Sequence, residues 1–258
     1  MKAKNAQELL RAEELTITFG GLTAADHVSF HVASGEIMGL IGPNGAGKTT
    51  LLNLISGIYQ CDSGKVYLDG RDVTKVPSHN RARMGLGRTF QTPRFLHRSS
   101  IRDNLMLGTD LGSQIGFFKS FMGKQNLEFE QEVEELMEYA GFAIDWHSDI
   151  NALPFGQRKR LEIVRSLLAH PKVLLVDEPA AGLNTKELQY AENLLRYAVS
   201  KGIGVVLIEH QMDLVMNVCD RIIVLNFGKL IAEGTPKEIA SNPAVIEAYL
   251  GRKSHAQN

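Results

Sequence analysis

The stretch "GLIGPNGAGKTT" (39–50) restricts what this chain can fold into more than any other. It continues an apolar run, Ile37–Ile41, and opens a helical one, "TTLLNLISGIY". A buried strand must therefore turn through a glycine-rich loop straight into a helix. Gly42, Gly47, Lys48 and Thr49 satisfy the spacing Gly-x-x-x-x-Gly-Lys-Ser/Thr, with Pro43, Asn44, Gly45 and Ala46 between the glycines. Each residue type has a physical use. Glycines let the loop close tightly, so that successive N–H groups converge on phosphate oxygens. The helix N-terminus adds its positive dipole end. Lys48 can reach β- and γ-phosphates, the Thr49 hydroxyl can ligate Mg²⁺, and Thr50 can bond an α-phosphate oxygen. Average composition produces such a match in about one chain of this length in a hundred, and the strand-before, helix-after context lowers that further.

The remaining pattern is α/β. Strands are expected at Leu15–Phe19, Val28–Val32, Ile37–Ile41, Lys65–Leu68, Val173–Val176, Val205–Ile208 and Ile222–Leu225. "VLLVD" and "VVLIE" are apolar throughout, which suits strands buried on both faces of a parallel sheet. Between them Leu188, Ala191, Leu195 and Ala198 share a helix face. Asn184 and Glu187 form a cap pair before that helix, and Gly202 ends it. Residues 97–158 carry helical patterns only. There Phe129, Val133, Leu136, Met137 and Ala140 line one face, and 110–126 reads as a variable loop. The N-terminal fifteen residues read as a solvated lead-in with no secretory core. No run approaches the ~18 apolar residues of a membrane span. A net charge of −1 supplies no global field for nucleic acid, so no nucleic-acid partner is expected. Cys61 and Cys219 read as buried free thiols of a reducing compartment.

Two strand ends complete the phosphate site. "KVLLVDEP" (172–179) ends on Asp177-Glu178, and ligands of parallel sheets sit at such carboxyl ends. Asp177 is placed to hold Mg²⁺ and Glu178, one residue on, to act as general base. "VVLIEHQ" (205–211) carries His210 towards the γ-phosphate.

Taken in order, these pieces resemble the ATP-binding-cassette (ABC) ATPases over about residues 10–250. The resemblance implies a P-loop NTPase (RecA-like) core with an N-terminal antiparallel β subdomain and an inserted helical subdomain. Residues 10–95 and 159–250 would form the nucleotide-binding core, and 96–158 the helical part. "GRTFQTPRFL" (87–96) supplies Gln91, matching the glutamine that touches Mg²⁺ and the attacking water on a loop that meets the membrane partner. "AAGLN" (180–184) matches the D-loop, which crosses a dimer interface; Asn184 stands where many relatives have aspartate. Phe19 matches the aromatic that stacks on adenine. Leu153, Pro154, Phe155, Gly156 and Gln157 align with the signature Leu-Ser-Gly-Gly-Gln, which closes over the ATP of a second subunit. Pro154 and Phe155 depart from that consensus, removing a hydroxyl, a backbone donor and a glycine. Such a variant, with "FGGLTAADHVSF" (19–30) and "GKLIAEGTPKEIASNPAVIEAYLG" (228–251), is similar to the ATP-binding subunits of branched-chain amino acid importers.

The resemblance implies ATP and Mg²⁺ as cofactors. It implies a second ATP-binding subunit, integral permease subunits and, indirectly, an extracytoplasmic solute-binding protein as partners. The place of work would be the cytoplasmic face of the inner membrane. The resemblance favours branched-chain or related amino acids as the imported cargo, with urea, short amides or lipid export, or a non-transport cassette, as the alternatives. A GTPase would need a guanine-reading Asn-Lys-x-Asp motif, which is not found after the relevant strands.

Overall fold

The structure, a computed structural model, describes residues 7–113 and 123–254. The chain opens with β1 (Glu8–Phe19), β2 (Leu22–Ala33) and β3 (Ile37–Ile41), then α1 (Lys48–Ile55). Next come β4 (Ser63–Leu68), β5 (Arg71–Asp72), α2 (Ser78–Arg83) and β6 (Leu86–Arg88). A helical stretch follows, with α3 (Ile101–Ser113), α4 (Gly123–Ala140) and α5 (Phe155–Leu167). The rest alternates as β7 (Val173–Asp177), α6 (Thr185–Ser200), β8 (Gly204–Ile208), α7 (Met212–Val218), β9 (Arg221–Asn226) and β10 (Lys229–Gly234), ending in α8 (Pro236–Ala240) and α9 (Pro243–Ser254).

Among the described residues the strands form two sheets. One, ordered β2-β1-β4-β5, is antiparallel. The other runs β10-β9-β3-β8-β7-β6; its pairs are parallel except β9 with β10. The uninterrupted apolar runs have a direct cause there. Ile37, Leu174, Val176, Val205 and Leu207 face one core, packed by α3 to α7. Their neighbours Met38, Val173, Leu175, Val206 and Ile208 face a second core, shared with α1 and the antiparallel sheet. Both faces are dry, so no polar alternation survives.

The expected strands all occur, β3 with its predicted bounds. The N-terminal lead-in does not. β1 begins at Glu8, and Leu9, Leu10, Ala12 and Leu15 are buried. Register shifts along β1 and a positive φ at Glu14 break strict alternation, which hides this strand from a period-two reading. β5 and β6 are two and three residues long, too short to carry a periodic signal. Cys219 is buried and free as expected, whereas Cys61 is only half-buried. The expected loop 110–126 is helical at its edges, in α3 and α4; residues 114–122 lie outside the described residues.

Two local devices hold the site-bearing elements. α6 starts on a reciprocal cap: Asn184 Oδ1 accepts from the Glu187 N–H, and Glu187 Oε2 accepts from the Asn184 N–H. α1 is only eight residues long, and its last carbonyls are met by the buried Arg81 guanidinium, which donates to Leu54 O (2.8 Å) and Ile55 O (2.6 Å).

Candidate active site

The loop after β3 has the backbone its glycines imply. Gly42 and Gly47 have φ of +152° and +104°. A Cβ on Gly42 would stand 2.2 Å from Leu225 O, and one on Gly47 2.2 Å from Ala24 O. Both approaches are to backbone, so neither neighbour can give way. The loop is also stitched to its surroundings, because Gly228 donates to Ala46 O and accepts from the Asp26 N–H, each at 2.9 Å. Lys48 is buried at the first position of α1, and its Nζ donates to Gly42 O (2.8 Å) and Pro43 O (3.1 Å). The lysine thus bridges the loop on which it sits. Thr49 and Thr50 follow it at the helix N-terminus, where partial positive charge gathers.

β3, β8 and β7 are adjacent and parallel, so their carboxyl ends open to one place. Asp177 ends β7 and is buried; burial raises its carboxyl above the usual range, the Glu178 charge adds to this, and Arg88, Lys159 and Lys48 oppose it. Arg88 Nη2 stands 3.7 Å from Asp177 Oδ2, beyond hydrogen-bond reach. Glu178 lies just past the strand with φ +48°, pinned by its N–H to Ile208 O (2.9 Å) and by Lys159 Nζ on its carbonyl (2.5 Å). That conformation turns its carboxylate towards two side chains. Gln91 Nε2 donates to Oε2 at 2.9 Å, and His210 Nε2 lies 2.9 Å from Oε1. Three residues read from separate sequence segments therefore meet around one carboxylate.

The donor set suits Mg²⁺. A hydroxyl and a carboxylate are hard oxygen ligands, and Mg²⁺ takes few of them from protein when phosphates supply the rest. Asp177 is a buried carboxylate, and a divalent ion bound there would offset the cost of burying its charge. Among the described residues no cluster of three or more His, Cys, Asp or Glu could form an all-protein cage.

The signature residues open α5. Pro154 is its N-cap, and Phe155 and Gly156 are already helical, so the helix starts two residues before Gln157. Phe155 is 42% exposed, with Lys159 Nζ 5.7 Å from its ring centroid. Gly156 is buried, and a Cβ there would stand 2.3 Å from Glu187 Oε1 of the α6 cap. Leu153 is half-buried against the helical core. Phe19, at the end of β1, is 46% exposed and meets Tyr59 edge-on, with ring centroids 5.4 Å apart.

The sequence reading missed the buried charges of α5. Lys159, Arg160 and Glu162 are buried, and the sequence reading gave them no role. Arg160 donates to Ala140 O (2.8 Å) and lies 3.4 Å from Glu187 Oε1. Glu209, passed over beside His210, is also buried. Its carboxylate accepts from the N–H groups of Ala180 (2.6 Å), His210 (2.9 Å) and Gln211 (3.3 Å). A charged run spaced i, i+3 on a helix flanked by two apolar layers is the signal that could have exposed the α5 group.

Comparison with known proteins places these features in context. The ABC transporter family model matches residues 25–181, and a model of the branched-chain amino acid ATP-binding cassette transporter matches 229–255. The high-affinity branched-chain amino acid transport ATP-binding protein BraF of Pseudomonas aeruginosa is 38% identical over 257 residues, covering 95% of this chain and 99% of that protein. The corresponding LivG of Escherichia coli is 36% identical over 252 residues, covering 95% and 99%. A crystal structure of the ADP conformation of an ATP-binding cassette of an ABC transporter superposes with a TM-score of 0.81 at 34% identity, covering 95% and 99%.

Proposed function

Because the chain belongs to the ABC transporter family, we propose that it is the ATP-hydrolysing subunit of an importer for branched-chain or related amino acids. The observation that carries the mechanism is the Gln91–Glu178–His210 group beside the P-loop. In the reaction Glu178 is the general base that takes the proton of the attacking water. Gln91 and His210 orient its carboxylate and face the γ-phosphate, where His210 stabilises developing charge. Lys48 and the loop N–H groups of Gly42, Asn44, Gly45, Ala46 and Gly47 hold the phosphates, with Thr50 on the α-phosphate. Thr49 and Asp177 would hold Mg²⁺, touched by Gln91, and the ion would neutralise phosphate charge. Phe19 offers an exposed ring for adenine.

Leu153, Phe155, Gly156 and Gln157 face the nucleotide of a second cassette, and that cassette's equivalents face this one. The exposure of Phe155 at the head of α5 supports a role at an interface. Residues 10–95 and 159–250 act as nucleotide-binding core and 96–158 as the helical part that moves on closure. Between them a groove of about 840 Å³ is lined by Arg88, Phe90, Arg94, Phe95, Leu96 and Leu107, among others. Its apolar and cationic walls fit a segment of the permease, and Phe90, Arg94 and Phe95 of the Gln91 loop form part of them. The subunit works peripherally, on the cytoplasmic face, as the ATP-binding partner of an integral permease; among the described residues no helix is long and apolar enough to cross a membrane. Cargo selection lies with the permease and an extracytoplasmic binding protein.

The test is reconstitution. Vesicles holding this chain, its neighbouring-gene cassette and permease, with the matching binding protein, should take up radiolabelled leucine only with ATP. Uptake of urea or short amides in place of leucine would overturn the cargo assignment, and ATP turnover unaffected by the permease would overturn the transport role.

A further inference from the structure

The loop that supplies Gln91 has no regular structure between β6 and α3, yet its backbone is gripped by one helix. Glu162, in the middle of α5, is 2% exposed. Its Oε2 accepts from the Phe90 N–H (3.4 Å) and its Oε1 from the Arg94 N–H (3.3 Å). One turn on, Arg165 Nη1 donates to Arg94 O (2.6 Å), while Nη2 stands 3.7 Å from Glu162 Oε1. Positions i and i+3 share a helix face. One acidic and one basic side chain therefore hold the backbone of Arg94 by both its donor and its acceptor, and Glu162 also holds the residue preceding Gln91. A carboxylate buried in the middle of a helix is costly unless its oxygens are met, and here the loop N–H groups meet them. Burial pushes the Glu162 carboxyl up to about 7, against the pull of those two N–H groups, Arg165 and Lys159.

We propose that Glu162 is a positioning residue for ATP hydrolysis: with Arg165 it clamps the Gln91 loop onto the signature helix, so that Gln91 reaches Glu178 only while loop and helix move as one body. The clamp also joins the two walls of the groove, since Arg94, Phe95 and Arg165 all line it. This inference rests on the reading of Gln91 given above.

Steady-state turnover and nucleotide affinity of the full-length chain test it. Glu162→Gln keeps the side-chain shape but can accept from only one of the two N–H groups. It should lower kcat about tenfold, the lower end for loss of hydrogen bonds to a charged group, with affinity for a fluorescent ATP analogue changed less than about twofold. In a Gln91→Ala background the same substitution should change kcat less than about twofold, because groups acting through one another are non-additive. Arg165→Gln should behave likewise. An undiminished loss from Glu162→Gln in both backgrounds overturns the clamp alone, as does affinity falling in step with kcat. Wild-type turnover in Gln91→Ala overturns the Gln91 assignment and the clamp together.

Discussion

Replacing Gly156 with alanine separates two explanations of the signature glycine. One holds that a glycine is needed so that a nucleotide from the facing subunit can approach. The other lies inside the subunit: the added Cβ would stand 2.3 Å from Glu187 Oε1 and 2.7 Å from its Cδ. A carboxylate at a side-chain end could normally swing away, but Glu187 is committed. Its Oε2 closes the α6 cap and its Oε1 faces the buried Arg160. Displacing it opens half of a capping box, at about 1 kcal/mol, and weakens a hydrogen-bonded partner of a buried guanidinium, at about 1 kcal/mol more. The sum, about 2 kcal/mol, corresponds to a melting temperature lower by about 4–8 °C in a domain of this size. Differential scanning calorimetry of Gly156→Ala measures it. In a Glu187→Ala background the clash has no partner, so the further loss on adding Gly156→Ala should shrink to about 0.5 kcal/mol or less. A Gly156→Ala protein that loses turnover but melts with wild type refutes the reasoning and returns the glycine to a purely intersubunit role. Equal losses in the two backgrounds refute it as well.

Other expectations follow from the same geometry. Lys48→Ala should abolish ATP binding in a fluorescence titration, and retained affinity would remove the phosphate assignment. Glu178→Gln keeps its contacts to Gln91 and His210 in shape but cannot take a proton; turnover should fall by on the order of 10²–10⁴-fold with ATP binding intact. Glu162 gives a pH dependence of stability. Its folded carboxyl is raised from 4.5 to about 7, so between those values the folded state holds a proton that the unfolded state has released. Stability should therefore fall as pH rises through this window, by at most about 3 kcal/mol. Glu162→Gln lacks that term, so the difference between its melting curve and that of wild type should change sharply from pH 5 to pH 8; a constant difference would contradict the assigned burial cost.

The parallel core was legible because its physics is local. Runs such as "VLLVD" and "VVLIE" can be dry on both faces only in the middle of a sheet, and the strand-loop-helix around Lys48 stands where its glycine spacing predicts it. The Asn184–Glu187 cap was legible for the same reason, since both partners lie within one turn. What escaped was set by tertiary context. β1 is broken by register shifts, so Leu9 and Leu10 give no alternation. β6 has three residues and takes its place from pairing with β7. The burial of Lys159, Arg160 and Glu162 depends on backbone partners as far away as Phe90, Ala140 and Glu178, which one helix's sequence does not show.

Glu178 and Glu209 occupy matching positions just beyond neighbouring strands, yet their lone pairs have different owners. The Glu209 oxygens are claimed by backbone amides, which cannot rotate aside. Those of Glu178 are held by a glutamine amide and an imidazole, both on rotatable bonds. Three main-chain donors take three of the four lone-pair sites of the Glu209 carboxylate and cannot turn aside to free an oxygen for a water's proton. Among acidic residues crowding the end of a parallel sheet, the working base is then the one whose donors can let go, and inventorying main-chain against side-chain donors picks it out before any substrate is placed.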